Sequence, residues 1–460
     1  MRVTISFFLL LLFYSCRKEG FTTSPEAFLR VEVDTLRFDT VFTTTGSITQ
    51  RFKFFNDNSK GIHVSSIQLK GGQASPFKIN VNGAIGPAVT GFDIASDDSA
   101  YVFVSVTVNP ATGSLPFVIR DSIEINYNGN KKLIQLQAYG QNAHFFRART
   151  LTASEVWSND LPYVILGGLE IEKGVKLLIN KGCKIYFHAD APLIVKGTLE
   201  VLGLKGEKEK VLFTGDRLDE PYKDFPASWP GIYFLNSSKD NIINYSQINN
   251  AYQAIVVQAP STNSNPKLQL SQTAVNNALD AGILGVNTSI KAQNLLVSNC
   301  GKNLVLVNGG DYSFTHCTVA SFSSILMRHK EALLLLSNFL NSTPPNALTA
   351  NFRNCIFWGD TSARLENEII ILRNGGVSNV VFDHVLWNEK TPPANVTNVF
   401  VAKTGYPRFD SINPAKNFYD FRLKDGSPAI NAGTNTLVTS DLDGKVRPVG
   451  LPDLGGYEKQ

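Results

Sequence analysis

Phe352-Arg-Asn-Cys-Ile-Phe357 is one copy of a six-residue pattern with apolar or small residues at its first, fourth and sixth places and a polar residue at its third. The other copies are Ile243-Asn-Tyr-Ser-Gln-Ile248, Leu270-Ser-Gln-Thr-Ala-Val275, Ala292-Gln-Asn-Leu-Leu-Val297, Phe314-Thr-His-Cys-Thr-Val319 and Phe382-Asp-His-Val-Leu-Trp387. Their last places, 248, 275, 297, 319, 357 and 387, step by 27, 22, 22, 38 and 30 residues. Steps near one coil length, with insertions, mark a solenoid whose coils bury their apolar edges only by stacking on one another. A strand alternates with period two, so apolar places three apart and then two apart require one parity slip, as at a corner. Asn294, His316, Asn354 and His384 hold that slip in four copies, and Asn and His tolerate positive φ better than most residues. The pattern predicts a β-solenoid.

The composition agrees. With 30 Phe, 14 Tyr, 35 Gly and 21 Pro in 460 residues, the chain suits strands joined by many turns and is too long for one compact core. A net charge of +4 with interspersed signs offers neither the basic stripe of a nucleic-acid binder nor the basic face of a protein held electrostatically on a membrane.

The first residues have their own character. Arg2 precedes an apolar run, Ile5 to Tyr14, which is too short to span a bilayer and the right length for a secretory signal core; Ser15-Cys16 follows at once. This resembles the lipobox of bacterial lipoproteins, although Phe13 and Tyr14 stand where that family more often has Leu and a small residue. The resemblance implies a signal peptide over 1–16, a lipidated Cys16, and a tether over 17–26. Because Arg17 is not Asp, it also implies the outer membrane. The lipid bilayer is then a partner through the acyl chains.

Residues 27–145 read as a β-sandwich, with alternating runs near 28–33, 49–55, 62–69, 77–81, 101–108, 121–127 and 132–139, and turn clusters such as Asn56-Asp57-Asn58 and Asn128-Gly129-Asn130. No Cys or Trp lies inside it. The stretches "DTLRFDTVF" and "LQAYGQNA" resemble the immunoglobulin-like modules that precede β-helices in large surface lipoproteins. Residues 150–420 read as the solenoid; in its early coils Gly turns separate the runs 169–174, 175–179, 183–187 and 193–202. The stretch 325–340 carries good helix formers and also fills a coil-sized gap, so a strand is expected there. The C-terminal run Asp425-Gly-Ser-Pro-Ala-Ile-Asn-Ala-Gly433, Asp441-Leu-Asp-Gly444, Arg447-Pro448 and Pro452-Asp-Leu-Gly-Gly-Tyr-Glu458 closely resembles the closing segment of right-handed parallel β-helix surface proteins. That resemblance implies an all-β chain with a right-handed parallel β-helix. It also points to a cap over 421–460 that shields the last coil.

One insertion between Phe213 and Gly231 leaves the coil pattern and carries Asp216, Arg217, Asp219, Glu220, Tyr222, Lys223, Asp224 and Trp229. Acids, cations and aromatics on one loop are the parts of a saccharide site, and paired acids such as Asp216 and Asp219 are what glycosidic cleavage needs. The plainer reading is a solvated loop whose Trp229 packs on the coil beneath. Asp441 and Asp443, with Asp453 or Glu458, are candidate calcium ligands, though Lys445 stands where a third EF-hand ligand belongs, no acid stands at the twelfth place, and a plain Asp-Gly turn is the favoured reading. Cys317 and Cys355 occupy the inward fourth place, and Cys183 and Cys300 show no metal-ligand spacing. They read as small core residues or as an oxidisable pair. His316 and His384 hold corners, His144 and His188 stand alone, and no nucleophile elbow accompanies any of them.

The reading that follows is a lipid-anchored surface protein that binds a glycan or a partner without turning it over. Its rival is a polysaccharide lyase or glycoside hydrolase of the β-helix fold, for which Arg353, Arg364 and Arg373 near Asp360, Glu366 and Glu368 supply candidate groups. A structural spacer is the third reading.

Overall fold

The computed structural model describes residues 20–42, 47–108, 117–341, 344–360 and 365–460. Cys16 and Arg364 therefore lie outside the described residues. The chain divides into two compact units, residues 1–143 and 144–460. Among the described residues there are strands and short 3-10 turns and no α-helix, as expected for an all-β protein.

The first unit is a β-sandwich of a six-stranded and a five-stranded sheet. Both sheets turn alternate residues inward, for example Ile62, Val64, Ile123 and Ile125 from one and Phe52, Phe54, Val102 and Val104 from the other, all at most 1% exposed. Phe38 and Phe77 meet across the middle with ring centroids 5.8 Å apart. The long hairpin Phe117–Tyr127 and Asn130–Gln141 turns at Asn128 and Gly129. Both residues have positive φ, 44° and 76°, which suits the right-handed twist of the flanking strands. The reading of seven runs omitted Thr35–Phe42, which pairs parallel with Asn130–Gln141, and the edge strand Ala88–Ile94. The edge strand shows four exposed residues of seven, so it has no apolar alternation for sequence reading to detect.

The second unit is a parallel β-helix with three sheets running along its axis. On the first sheet, Leu169, Leu193, Ile232, Ile255, Ile283, Leu304, Leu334 and Ile369 stand in register on successive coils. The second sheet stacks Ile243, Leu270, Ala292, Phe314, Phe352 and Phe382, the first places of all six repeat copies. The third stacks the last places, Ile248, Val275, Val297, Val319, Phe357 and Trp387. Between the second and third sheets the third place of every copy takes a left-handed corner: φ is 43° at Tyr245, 41° at Gln272, 48° at Asn294, 54° at His316, 55° at Asn354 and 55° at His384. The parity slip read from the sequence is this corner. Inside, Phe314, Phe352 and Phe382 form a stack with centroid spacings of 5.3 and 5.0 Å, which like-on-like register makes geometrically possible.

Two expectations change. Within 325–340 only Leu334–Ser337 is a strand. The stretch before it is an excursion that buries His329 against Glu368, with Nε2 2.9 Å from Oε2. The C-terminal segment, expected as a cap over the last coil, packs along the flank of several coils. It runs along the side of the helix and docks on the corner row: Asn294 Nδ2 donates to Ser440 O, Asn354 Nδ2 donates to Thr434 O, and His316 meets Thr436 and Asp453. The reason is on the outer face of the third sheet, where Leu296, Ile356, Trp358 and Leu386 point away from the core. The segment's Phe409, Phe421, Leu423, Leu442 and Leu454 cover them as a second apolar cluster.

Candidate functional site

The inserted loop does not assemble as a site around Trp229. That indole is 1% exposed, lies 4.3 Å centroid to centroid from Phe187 inside the coil, and donates from Nε1 to Asn249 O at 2.9 Å. A ring held this way offers no face to a sugar: Trp229 packs on the coil beneath, as the plainer reading has it, and is not a ligand residue. Its neighbours in sequence are held in local pairs. Arg217 binds Asp219 through two hydrogen bonds of 2.8 and 3.0 Å and lies 4.1 Å above the Tyr222 ring, while Lys223 pairs with Glu220. Asp216 accepts from His188 Nδ1 at 2.8 Å, and burial pushes its carboxyl above the ordinary range against the pull of that imidazole. His188 and His144, solitary in the sequence, each have an aspartate partner, Asp216 and Asp160.

The C-terminal acids are likewise occupied. Asp441 Oδ1 accepts the backbone N–H of Asp443 and Lys445, and its Oδ2 accepts that of Glu458. Asp453 accepts from Asn431 and Lys459 in the same way, and Asp443 pairs with Arg422 at 2.7 Å. These are N–H donors filling the lone pairs a hard cation needs, so the arrangement does not fit calcium. Among the described residues no group of three or more His, Cys, Asp or Glu side chains could hold a metal ion. At the centre, Arg447 and Glu458, both with fully buried side chains, pair at 2.8 Å, and Arg447 also reaches Asn294 Oδ1 at 2.9 Å. The acids and the arginine form a knot that fastens the segment to the corner row.

The cluster considered for a lyase is also dispersed. Arg353 pairs with Asp383 on the outer face of the second sheet, Arg373 donates to Gly376 O, and Glu368 is enclosed by His329. Glu389 lies beside Glu368 and accepts its backbone N–H.

A site the sequence did not single out emerges on the third sheet. Its outward residues change character along the axis. The row Gln247, Ala274, Leu296, Thr318, Ile356, Leu386 and the row Asn249, Asn276, Ser298, Ala320, Trp358 are each in register, and both pass from polar to apolar. The C-terminal segment buries the apolar part. Over the polar part it stands away from the sheet, and the gap is a cleft of about 610 Å³. Its floor is Gln247, Asn249, Asn276 and Ser298 with Ala274 and Leu296 beside them, and its lining also includes Phe418, Tyr419, Phe421 and Tyr457 from the C-terminal segment. Phe418 sits at the tip of the hairpin Phe409–Asn413 and Phe418–Leu423. A 3-10 turn, Pro414–Lys416, capped by the Asn413 side chain and ended by Asn417 at φ 49°, sets its position. Phe418 is 56% exposed.

The predicted loop does contribute here, through its backbone. Asn250 Nδ2 donates to Lys223 O and Asn277 Nδ2 to Asp224 O, each at 2.8 Å. A second left-handed row, Asn250, Asn277 and Asn299 with φ of 64°, 58° and 53°, thus ties the loop to the coils as one wall. Of the expected ligand residues, only Asp224 lines the cleft. The signal that could have found the cleft is the amide run Asn249-Asn250 and Asn276-Asn277, each pair just after the last place of a repeat copy.

No protein-family model matches the chain, and no curated protein matches it. Among solved structures it is similar to pectate lyase Pel9A, at 11% identity over 69% of this chain and 88% of that one, with a TM-score of 0.32. A family 123 glycoside hydrolase from Clostridium perfringens overlaps at 12% identity and a TM-score of 0.18; the overlap covers 25% of this chain and spans 26% of the hydrolase. The periplasmic chaperone SfaE matches at 6% identity over 25% of this chain and 58% of its own, TM-score 0.18. With overlaps this loose, the fold assignment rests on the strand ladders themselves.

Proposed function

We propose that this protein binds a glycan in the third-sheet cleft without cleaving it. The observation that carries the reading is the pairing of an amide floor with an exposed aromatic. Amides both donate and accept, as sugar hydroxyls do, and the open Phe418 ring suits the apolar face of a pyranose. Cleavage of a glycosidic bond uses two carboxyl groups facing each other across the substrate, whereas the cleft lining contains a single acid, Asp224. Asp216 and Asp219, the expected acids, are committed to His188 and Arg217. The run Ile5 to Tyr14 ahead of Cys16 supports display of the protein at the outer membrane through acyl chains on that cysteine.

The test is titration of a panel of polysaccharides and oligosaccharides against the mature protein, alongside Phe418→Ala, with assays for new reducing ends and unsaturated uronates. Binding that Phe418→Ala weakens, with no product formed, supports the proposal. Product formation abolished by Asp216→Asn would replace it with the enzyme reading.

A further inference from the structure

The cleft's charges and register define the ligand more narrowly. We infer that it accepts an uncharged, hydroxyl-rich glycan chain lying parallel to the solenoid axis across three coils. This rests on the glycan reading above.

The charge argument starts from the lining, which contains one cation, Lys210, and one acid, Asp224. Lys210 is already engaged: its Nζ lies 3.0 Å from Glu207 and 3.8 Å from Asp443, and its side chain is 14% exposed. A uronate or sulfated chain entering the cleft would shed water from its anionic groups and meet no free cation in return, with Asp224 adding repulsion. Recognition of carboxylates and sulfates runs on unpaired Arg and Lys, and burying an uncompensated charge is costly. A neutral chain has neither penalty.

The register argument concerns direction. Asn249, Asn276 and Ser298 stand at the same place on three successive coils, and neighbouring strands are about 4.8 Å apart. That rise is close to the length of one sugar in an extended, equatorially linked chain. A chain laid along the axis, across the strands, therefore meets an equivalent polar group at each residue, whereas a chain laid along one strand meets only the two outward side chains of that coil, such as Ala274 and Asn276 or Leu296 and Ser298. The amides of this row are chained: Asn276 Nδ2 donates to Asn249 Oδ1 at 3.2 Å, and the Ser298 hydroxyl donates to Asn276 Oδ1. The chain of bonds fixes the orientation of each amide and still leaves a group on every coil for a ligand: Asn249 Nδ2 and the Gln247 amide on the first, the second Nδ2 hydrogen of Asn276 on the next, and the Ser298 Oγ lone pairs on the third. Phe418 stands on the opposite wall, where a ring lying on the row would be sandwiched. In the parallel row Asn250 and Asn277 donate to the loop carbonyls and Asn299 accepts from Phe322 N–H, and these bonds shape the wall.

The experiment is calorimetric titration with β-linked neutral gluco-oligosaccharides from one to six residues and with oligogalacturonates of matched length, against wild type, Asn249→Ala and Phe418→Ala. Neutral affinity is expected to rise to three or four residues, to level off beyond, and to be insensitive to salt. Asn249→Ala should weaken it roughly five-fold, the worth of one side-chain hydrogen bond, and Phe418→Ala roughly ten-fold. Oligogalacturonate binding that equals the neutral series and falls in both variants would overturn the neutral assignment while leaving the glycan reading intact. Neutral binding that stops improving at one residue would overturn the axial placement. Neutral binding untouched by both variants would overturn the site. No binding by any oligosaccharide would overturn the glycan reading itself.

Discussion

His316→Asn removes a buried imidazole from the corner row beneath the C-terminal segment. His316 is fully buried; its Nδ1–H donates to Asp453 O at 3.2 Å, and its Nε2 accepts from Asn354 Nδ2 at 3.1 Å and Thr436 Oγ1 at 3.0 Å. Burial, and then the nearby Arg447 guanidinium, push its pKa down to about 2, against about 6.5 in an unfolded chain. The folded state therefore holds His316 neutral while the unfolded state gains a proton, so stability is full above pH 6.5 and declines as pH falls toward 2. At about 1.36 kcal/mol per unit, moving from pH 7 to pH 4.5 should cost the docked segment roughly 2.5 kcal/mol through this residue. Asp453, pushed up to about 6 by burial, acts in the opposite sense over the same range, but it is present in both proteins. Asn already serves this corner at 294 and 354 with positive φ, so His316→Asn keeps the backbone and removes the titration. Two compact units rule out a single two-state ΔG, so the readout is hydrogen exchange at Leu454 and Gly455, whose N–H groups bond to Ala429 O and Asn354 O. Protection in the wild type should fall on acidification by roughly seventy-fold more than in the variant. Equal pH dependence in the two proteins would refute the reasoning.

Three further predictions address the elements that decide the fold and address. Trp229→Ala should cost about 3 to 5 kcal/mol by emptying a large aromatic site, seen as a lower thermal midpoint of the β-helix; an unchanged midpoint would show that the ring is not in the core. Arg447→Met leaves Glu458 buried without its cation and should destabilise the docked segment by about 3 to 5 kcal/mol, so limited proteolysis should cleave within 425–460 in the variant and spare the wild type. Cys16→Ser should release the protein from the membrane fraction, and a wild-type protein that takes up no palmitate analogue at Cys16 would contradict the anchor.

What the sequence determined by itself is the coil. An apolar pattern that breaks parity at an Asn or His has one way to bury all its places, a strand that turns a left-handed corner, and like-on-like stacking then sets the register of every copy. The local code is strong enough to find each corner, including those at Tyr245 and Gln272, whose side chains do not advertise it. The site was not legible in this way. Trp229 looks like a binding residue because it sits among Asp219, Tyr222 and Asp224, and only the stacking of Phe187 beneath it shows that it completes the core. Asp441 and Asp453 look like cation ligands until the chain folds back and brings the amides of Lys445, Glu458 and Lys459 to their oxygens. The cleft depends on where a segment more than a hundred residues away along the chain leaves the sheet, and that is set by the change from amide to apolar residues along rows running perpendicular to the sequence. Contacts along an axis of stacked coils join residues 16 to 42 positions apart, so their chemistry becomes a surface only when the coils are laid one on another.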